Sequence, residues 1–158
     1  MNKSIDVFAA TNPAFLSLVL LSFIEGYNEE AGAGLPFPLA ILPIPIVLSG
    51  DLDPTFDGTN IRTGFYSWVK QNPGIVVNLN NRINDSIEYI QPAISYGVAR
   101  KIIKIDDKGS LWGLSQNTAN IYGSSKLGPF FKKSKRLGNW IGQIKSTKTV
   151  FNLLGLEV

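Results

Sequence analysis

Hydrophobic positions follow helical spacing along most of this chain and change period only once. Asn12-Pro13 reads as a helix start, because an asparagine caps and a proline tolerates the first helical position. Behind it Phe15, Leu18, Val19, Ser22, Phe23 and Gly26 keep a 3.6-residue repeat, with Leu16 and Leu20 widening the stripe. Gly32 and Gly34 close the element, so the spacing predicts a helix over 13–31. Residues 36–48 admit two readings. Pro43 and Pro45 push Leu42 and Ile44 toward extended geometry, which favours a buried extended segment. Leu39, Leu42, Ile46 and Val47 equally fit a helix begun at Pro36 and kinked by the later prolines.

Asp51–Gly58 reads as a turn-rich loop. Thr59 or Asn60 then caps a helix through Asn72, with Ile61, Phe65 and Trp68 inward and Arg62 and Lys70 outward. Asn72-Pro73-Gly74 stops it. A longer helix over 76–100 follows, with Leu79, Ile83, Ile87, Ile90, Ile94 and Val98 on one stripe and Pro92 kinking it. The period then shortens. Ile102–Ile105 and Leu111–Leu114 flank Asp106-Asp107-Lys108-Gly109, which predicts a β-hairpin. Residues 115–126 read as a polar loop. A helix over 127–144 carries Phe130, Phe131, Leu137, Trp140, Ile141 and Ile144, and a short docked helix in Thr147–Leu156 ends at Gly155.

These elements predict a mainly α chain with one small β-hairpin. Helices feeding a hairpin is the element order of a winged helix-turn-helix domain. The expected organisation is an N-terminal helix over 1–34, a winged-helix-like core over 35–114 whose hairpin 102–114 is the wing, and a basic C-terminal helical extension over 115–158.

Composition narrows the chemistry. The 158 residues include no cysteine and no histidine, which removes disulfides, thiolate nucleophiles, imidazole general bases and the usual zinc ligand sets. With 44% hydrophobic and 17% charged residues the chain can build a packed core. No phosphate-binding glycine motif is present, and no nucleophile–base pair stands out, so neither a cofactor nor catalysis is expected. Asp51, Asp53 and Asp57 lack the closing ligand of a calcium loop and read as a solvated turn. The apolar runs Ala14–Ile24 and Leu35–Leu48 fall short of the roughly 20 residues that span a bilayer, and residues 1–10 lack a secretory pattern. The expected location is the cytoplasm, with no membrane partner.

Charge is unevenly placed. Residues 1–60 hold one lysine against seven carboxylates, whereas residues 100–158 hold eleven Lys/Arg against three. Such a split suits two different partners or an internal seam between the halves. Lys104, Lys108, Lys126, Lys132, Lys133, Lys135 and Arg136 are the candidate contacts for DNA phosphates or for an acidic protein surface, with a solvated helix face as the bland reading.

Three stretches together resemble a known family: Asn12-Pro13-Ala14-Phe15-Leu16 with Gly34-Leu35-Pro36-Phe37-Pro38-Leu39-Ala40; Ser67-Trp68-Val69 before Asn72-Pro73; and Lys135-Arg136-Leu137-Gly138-Asn139-Trp140 before Thr149–Gly155. They resemble the middle component of three-component ABC-ATPase systems, which includes the small subunit of Lamassu-type bacterial defence. The resemblance runs over nearly the whole chain. It implies a non-enzymatic adaptor with winged-helix character, seated between an SMC-like ABC ATPase and an effector, often a nuclease, in an assembly that senses foreign DNA. The sequence departs from the pattern at Asn139, where a basic residue is expected, and at Ile44-Pro45, which adds a proline. Two other classes compete: a stand-alone winged-helix DNA-binding regulator, and a small enzyme with a pocket built from Asp51, Asp53, Glu25 and Glu29.

Overall fold

A computed structural model describes residues 11–114 and 117–156. The first helix, α1 (Pro13–Ala31), begins where the reading above put it. Asn12 Oδ1 accepts the N–H of Ala14 at 2.9 Å, and Pro13 needs no acceptor at the first helical position. Gly32 ends the helix at φ 64°, its N–H donating to the carbonyl of Asn28. The helix is apolar on nearly every side, and Leu16, Val19, Leu20, Leu21, Phe23 and Ile24 are all fully buried. It is the central element, and the rest of the chain is arranged around it.

Residues 36–48 are neither one extended segment nor one kinked helix. A 3₁₀ turn over Phe37–Ile41 is followed by a short α2 (Pro43–Val47). Both prolines are tolerated because they occupy the first and third positions of α2, where backbone N–H groups have no partner within the helix. A second 3₁₀ segment covers Gly50–Phe56.

The helix expected from Thr59 begins later, as α3 (Phe65–Gln71). Asn60 bends the chain instead of capping a helix: its Oδ1 accepts the N–H of Arg62 at 2.8 Å, an Asx turn. Gly64, at φ 81°, then reverses the backbone, and Ile61 stays 40% exposed rather than inward. A 3₁₀ turn over Pro73–Val76 leads into α4 (Leu79–Ala99), which runs without interruption through Pro92. Its buried face uses Leu79, Ile83, Ser86, Ile90, Ala93, Ile94 and Gly97, while Ile87 and Val98 point outward. Steps of four residues overshoot the helical repeat, so the all-aliphatic stripe drifts off the core. Gly97 faces inward because the Ile103 side chain fills the space a Cβ would need.

The hairpin is β1 (Ile103–Ile105) paired antiparallel with β2 (Leu111–Gly113), in the register Ile103–Gly113, Lys104–Trp112 and Ile105–Leu111. Asp106 organises the turn, its Oδ1 accepting the N–H groups of Lys108 and Ser110 and its Oδ2 the indole N–H of Trp112, each at 2.9 Å. Leu35 adds one bridge on the other side of β2 through two backbone bonds to Leu111. Part of the segment read as loop forms a short helix, α5 (Thr118–Ile121); residues 115–116 lie outside the described residues. The chain then forms α6 (Gly128–Ile144) and α7 (Thr147–Leu153), the latter capped by Ser146 and closed before Gly155 at φ 70°.

The tightest packing is between α1 and α6. A Cβ on Gly26 would overlap the carbonyl oxygen of Lys135, and one on Gly138 would overlap that of Phe23. Backbone meets backbone here, so both helices need glycine at the crossing. Ser134 Oγ donates to Val19 O at 2.6 Å and Asn139 Nδ2 to Gly26 O at 3.0 Å across the same buried seam. Beside it lies an aromatic group. Trp68 and Trp140 have ring centroids 5.4 Å apart, and Phe56 stacks on Trp140 at 6.0 Å with an interplanar angle of 5°. Both indoles are fully buried and hydrogen-bonded, Trp140 Nε1 to Asn60 O and Trp68 Nε1 to Thr55 Oγ1.

Candidate functional site

The charge split is resolved partly inside the fold. Lys133 Nζ on α6 lies 2.7 Å from Asp53 Oδ1, and Lys135 Nζ lies 3.3 Å from Glu29 Oε2. Arg82 on α4 makes a two-bond contact with Asp51, at 2.8 and 2.6 Å. The guanidinium of Arg82 holds the Asp51 carboxyl below the usual range, although the pair sits in solvent and is screened there. Basic residues from the second half therefore hold acidic residues from the first, with the 3₁₀ segment Gly50–Phe56 as a clasp between α4 and α6.

The four carboxylates considered for an enzyme pocket do not all meet: Glu25 and Glu29 line one cleft, which neither Asp51 nor Asp53 lines. Asp51, Asp53 and Glu29 have separate cationic partners, and Glu25 Oε1 accepts the N–H of Thr118 at 3.0 Å. Burial pushes the Glu25 carboxyl above its ordinary value, against the opposing pull of Thr118 and Lys135. Glu25 Oε2 and Thr118 Oγ1 are buried without hydrogen-bond partners.

The seven candidate basic residues separate into groups. Lys104 and Lys108 are exposed on the hairpin, one on β1 and one in its turn, and Lys126 is exposed in the turn ahead of α6. Lys133 is taken up by Asp53. Lys132, Lys135 and Arg136 come together, lining a cleft of about 300 Å³ with Asn60, Asn117 and Asn120. Arg136 donates to Thr59 Oγ1 at 3.1 Å, and partial burial lowers the pKa of its guanidinium. Lys135 also donates to Asn117 Oδ1 at 2.9 Å, whereas Lys132 is exposed and makes no hydrogen bond or ion pair among the described residues. A second cleft of about 260 Å³ adjoins the first, sharing Asn117 and Lys135 and bearing Glu25 and Glu29.

Sequence reasoning missed the asparagines. In the sequence Asn60 reads only as a helix cap, and Asn117 and Asn120 only as part of a polar loop; Asn117 adopts φ 48°, a left-handed conformation that asparagine accepts more readily than most residues. Asn139, standing where the resemblance leads one to expect a basic residue, is 5% exposed and spends its amide on Gly26. A third cleft, of about 350 Å³, is apolar, with Pro38, Ile41, Ile83, Ile87, Phe151 and Leu156 among its lining residues. It shares no lining residue with the basic cleft.

Among the described residues no single helix is long and apolar enough to cross a membrane. No curated protein and no solved structure matches this chain. The model of one protein family does, described as ABC-three component (ABC-3C) system Middle Component 3 and matching residues 6–158. By that description a middle component is one subunit of a multi-component ABC system. The match covers the α1–α6 seam, the aromatic group and both polar clefts, and on its extent the chain belongs to the Middle Component 3 family of ABC-three component systems.

Proposed function

We propose that this chain is a non-catalytic adaptor in an anti-phage or anti-plasmid defence complex. It is held between an SMC-like ABC ATPase and an effector, often a nuclease, and couples DNA sensing to effector release. The observation that carries this reading is the pair of chemically unlike clefts with no lining residue in common, one basic and one apolar. Two such surfaces on one small domain suit two different neighbours, while Asp51, Asp53 and Glu29 each have a cationic partner within the chain. The test is co-expression with the other components of its system. A stable complex should purify through a tag on this chain, and the pure chain should hydrolyse neither ATP nor DNA. Migration of the chain alone, or turnover abolished by a point change in it, overturns the reading.

The hairpin favours one alternative, a winged-helix DNA-binding regulator acting alone. Lys104 and Lys108 are exposed on a hairpin that follows helices α1–α4, and helices feeding a hairpin is the order of a wing. That reading requires the isolated chain to bind duplex DNA with an affinity falling steeply with salt, and the double variant Lys104→Glu/Lys108→Glu to abolish it.

A further inference from the structure

We infer that the basic cleft between α5 and α6 receives an acidic side chain from a partner protein subunit, its carboxylate taken up between Lys132 and Arg136. This rests on the multi-subunit reading above and adds the chemistry of one contact. Three cations line the cleft and no carboxylate does. Arg136 is partly desolvated and has only the neutral hydroxyl of Thr59 as a partner, and Lys132 has none among the described residues. Cations held in a concave, partly dry site without a counter-charge are poised for an anion, because the attraction strengthens as water is excluded. Apolar side chains share the lining, Ala119 buried and Ile61 40% exposed. A charge pair formed beside apolar groups and closed off from water is the kind of contact that dominates an interface.

The adjoining cleft decides between a protein and a nucleic acid. Each strand of a duplex presents one phosphate charge per about 3.4 Å of helix axis, so the charges come in an unbroken series. A strand laid through the basic cleft toward Lys135 would carry its next charges onto Glu25 and Glu29. A single aspartate or glutamate meets only the cationic part, and a basic neighbour on the same segment would find Glu29, which is mostly exposed.

The assembled complex, purified through a tag on this chain, is treated with a carbodiimide, which joins lysine amines to carboxylates in contact with them. Mass spectrometry should find Lys132 joined to an aspartate or glutamate of another subunit. Lys132→Glu should reduce retention of that subunit about tenfold or more, and Lys132→Arg should keep it. Thermal melting of Lys132→Glu should match the parent, because the lysine has no hydrogen bond or ion pair among the described residues to lose. Full retention by Lys132→Glu, with cross-links only at other lysines, overturns the inference and leaves the adaptor reading standing. An intact Lys132→Glu complex that no longer captures a duplex oligonucleotide also overturns it, assigning the cleft to phosphate. If the parent chain retains no subunit, it is the adaptor reading that has failed first.

Discussion

The side-chain amide of Asn139 donates to the carbonyl of Gly26 at 3.0 Å, at the point where α1 and α6 approach too closely to admit a side chain. Gly138 sits one residue away with its missing Cβ facing Phe23 O. Gly138→Ala must therefore push the two helices apart, and core overpacking of this kind costs about 3 kcal/mol. The melting temperature should fall by roughly 10 °C for a chain of this size. A fall of no more than a degree or two would mean that the crossing is looser than the contacts imply.

Asn28 of α1 holds the hairpin. Its Oδ1 accepts the N–H of Gly113 at 2.9 Å, and its Nδ2 donates to Ala33 O at 2.9 Å and Leu111 O at 3.2 Å. Asn28→Ala strips these bonds and should cost about 2–3 kcal/mol. Amide exchange gives a local readout: Gly113 should exchange much faster in the variant, while the amides of α6 change little. Equal acceleration in both would turn a local tether into a global effect.

Glu25 makes stability depend on pH in a direction that can be stated in advance. Its folded pKa lies above the ordinary 4.5, chiefly through burial. The stability it contributes is therefore present below the unfolded pKa and lost as pH rises through the folded one. Glu25→Gln keeps an acceptor for Thr118 and removes the buried charge. The variant should melt higher than the parent near neutral pH, with the difference vanishing in acid below about pH 4. A variant that melts lower at neutral pH would show that Lys135 and Thr118 outweigh burial.

Lys132 and Lys133 are adjacent and should behave differently. Lys133, half-buried against Asp53, should show a coupling of about 0.5–1 kcal/mol in a double-mutant cycle of Lys133→Met with Asp53→Asn. Lys132→Ala should alter the stability of the isolated chain by less than about 0.5 kcal/mol. Chemical denaturation of the five proteins checks both.

Much of the scaffold was legible because it rests on local rules. Asn12-Pro13 and Gly32 bound α1 through capping and backbone conformation, and the polar Asp106–Gly109 turn marks the hairpin. The departures have non-local causes. Asn60 bonds to the backbone two residues on, and Gly64 breaks the chain, so a helical pattern starting at Ile61 is cut short. Pro43 and Pro45 look hostile to a helix until their places in its first turn are known. The basic cleft was half visible. Lys132, Lys135 and Arg136 were evident as a charge run, but only the fold separates them from Lys133 and brings Asn60 and Asn117 to meet them. Pairing across 80 residues, as between Asp53 and Lys133, leaves no trace in local spacing.

The three tryptophans of this chain are distributed so that it carries its own optical gauge. Trp68 and Trp140, close enough for their transitions to couple, should give a near-ultraviolet dichroism band that persists only while α3 and α6 remain in register. Trp112, tied to Asp106 at the hairpin, is separate from them, and its emission should shift when the turn is disturbed. Attachment of a neighbour at either place can then be timed against the other in unlabelled protein, and the order of events during assembly read from light alone.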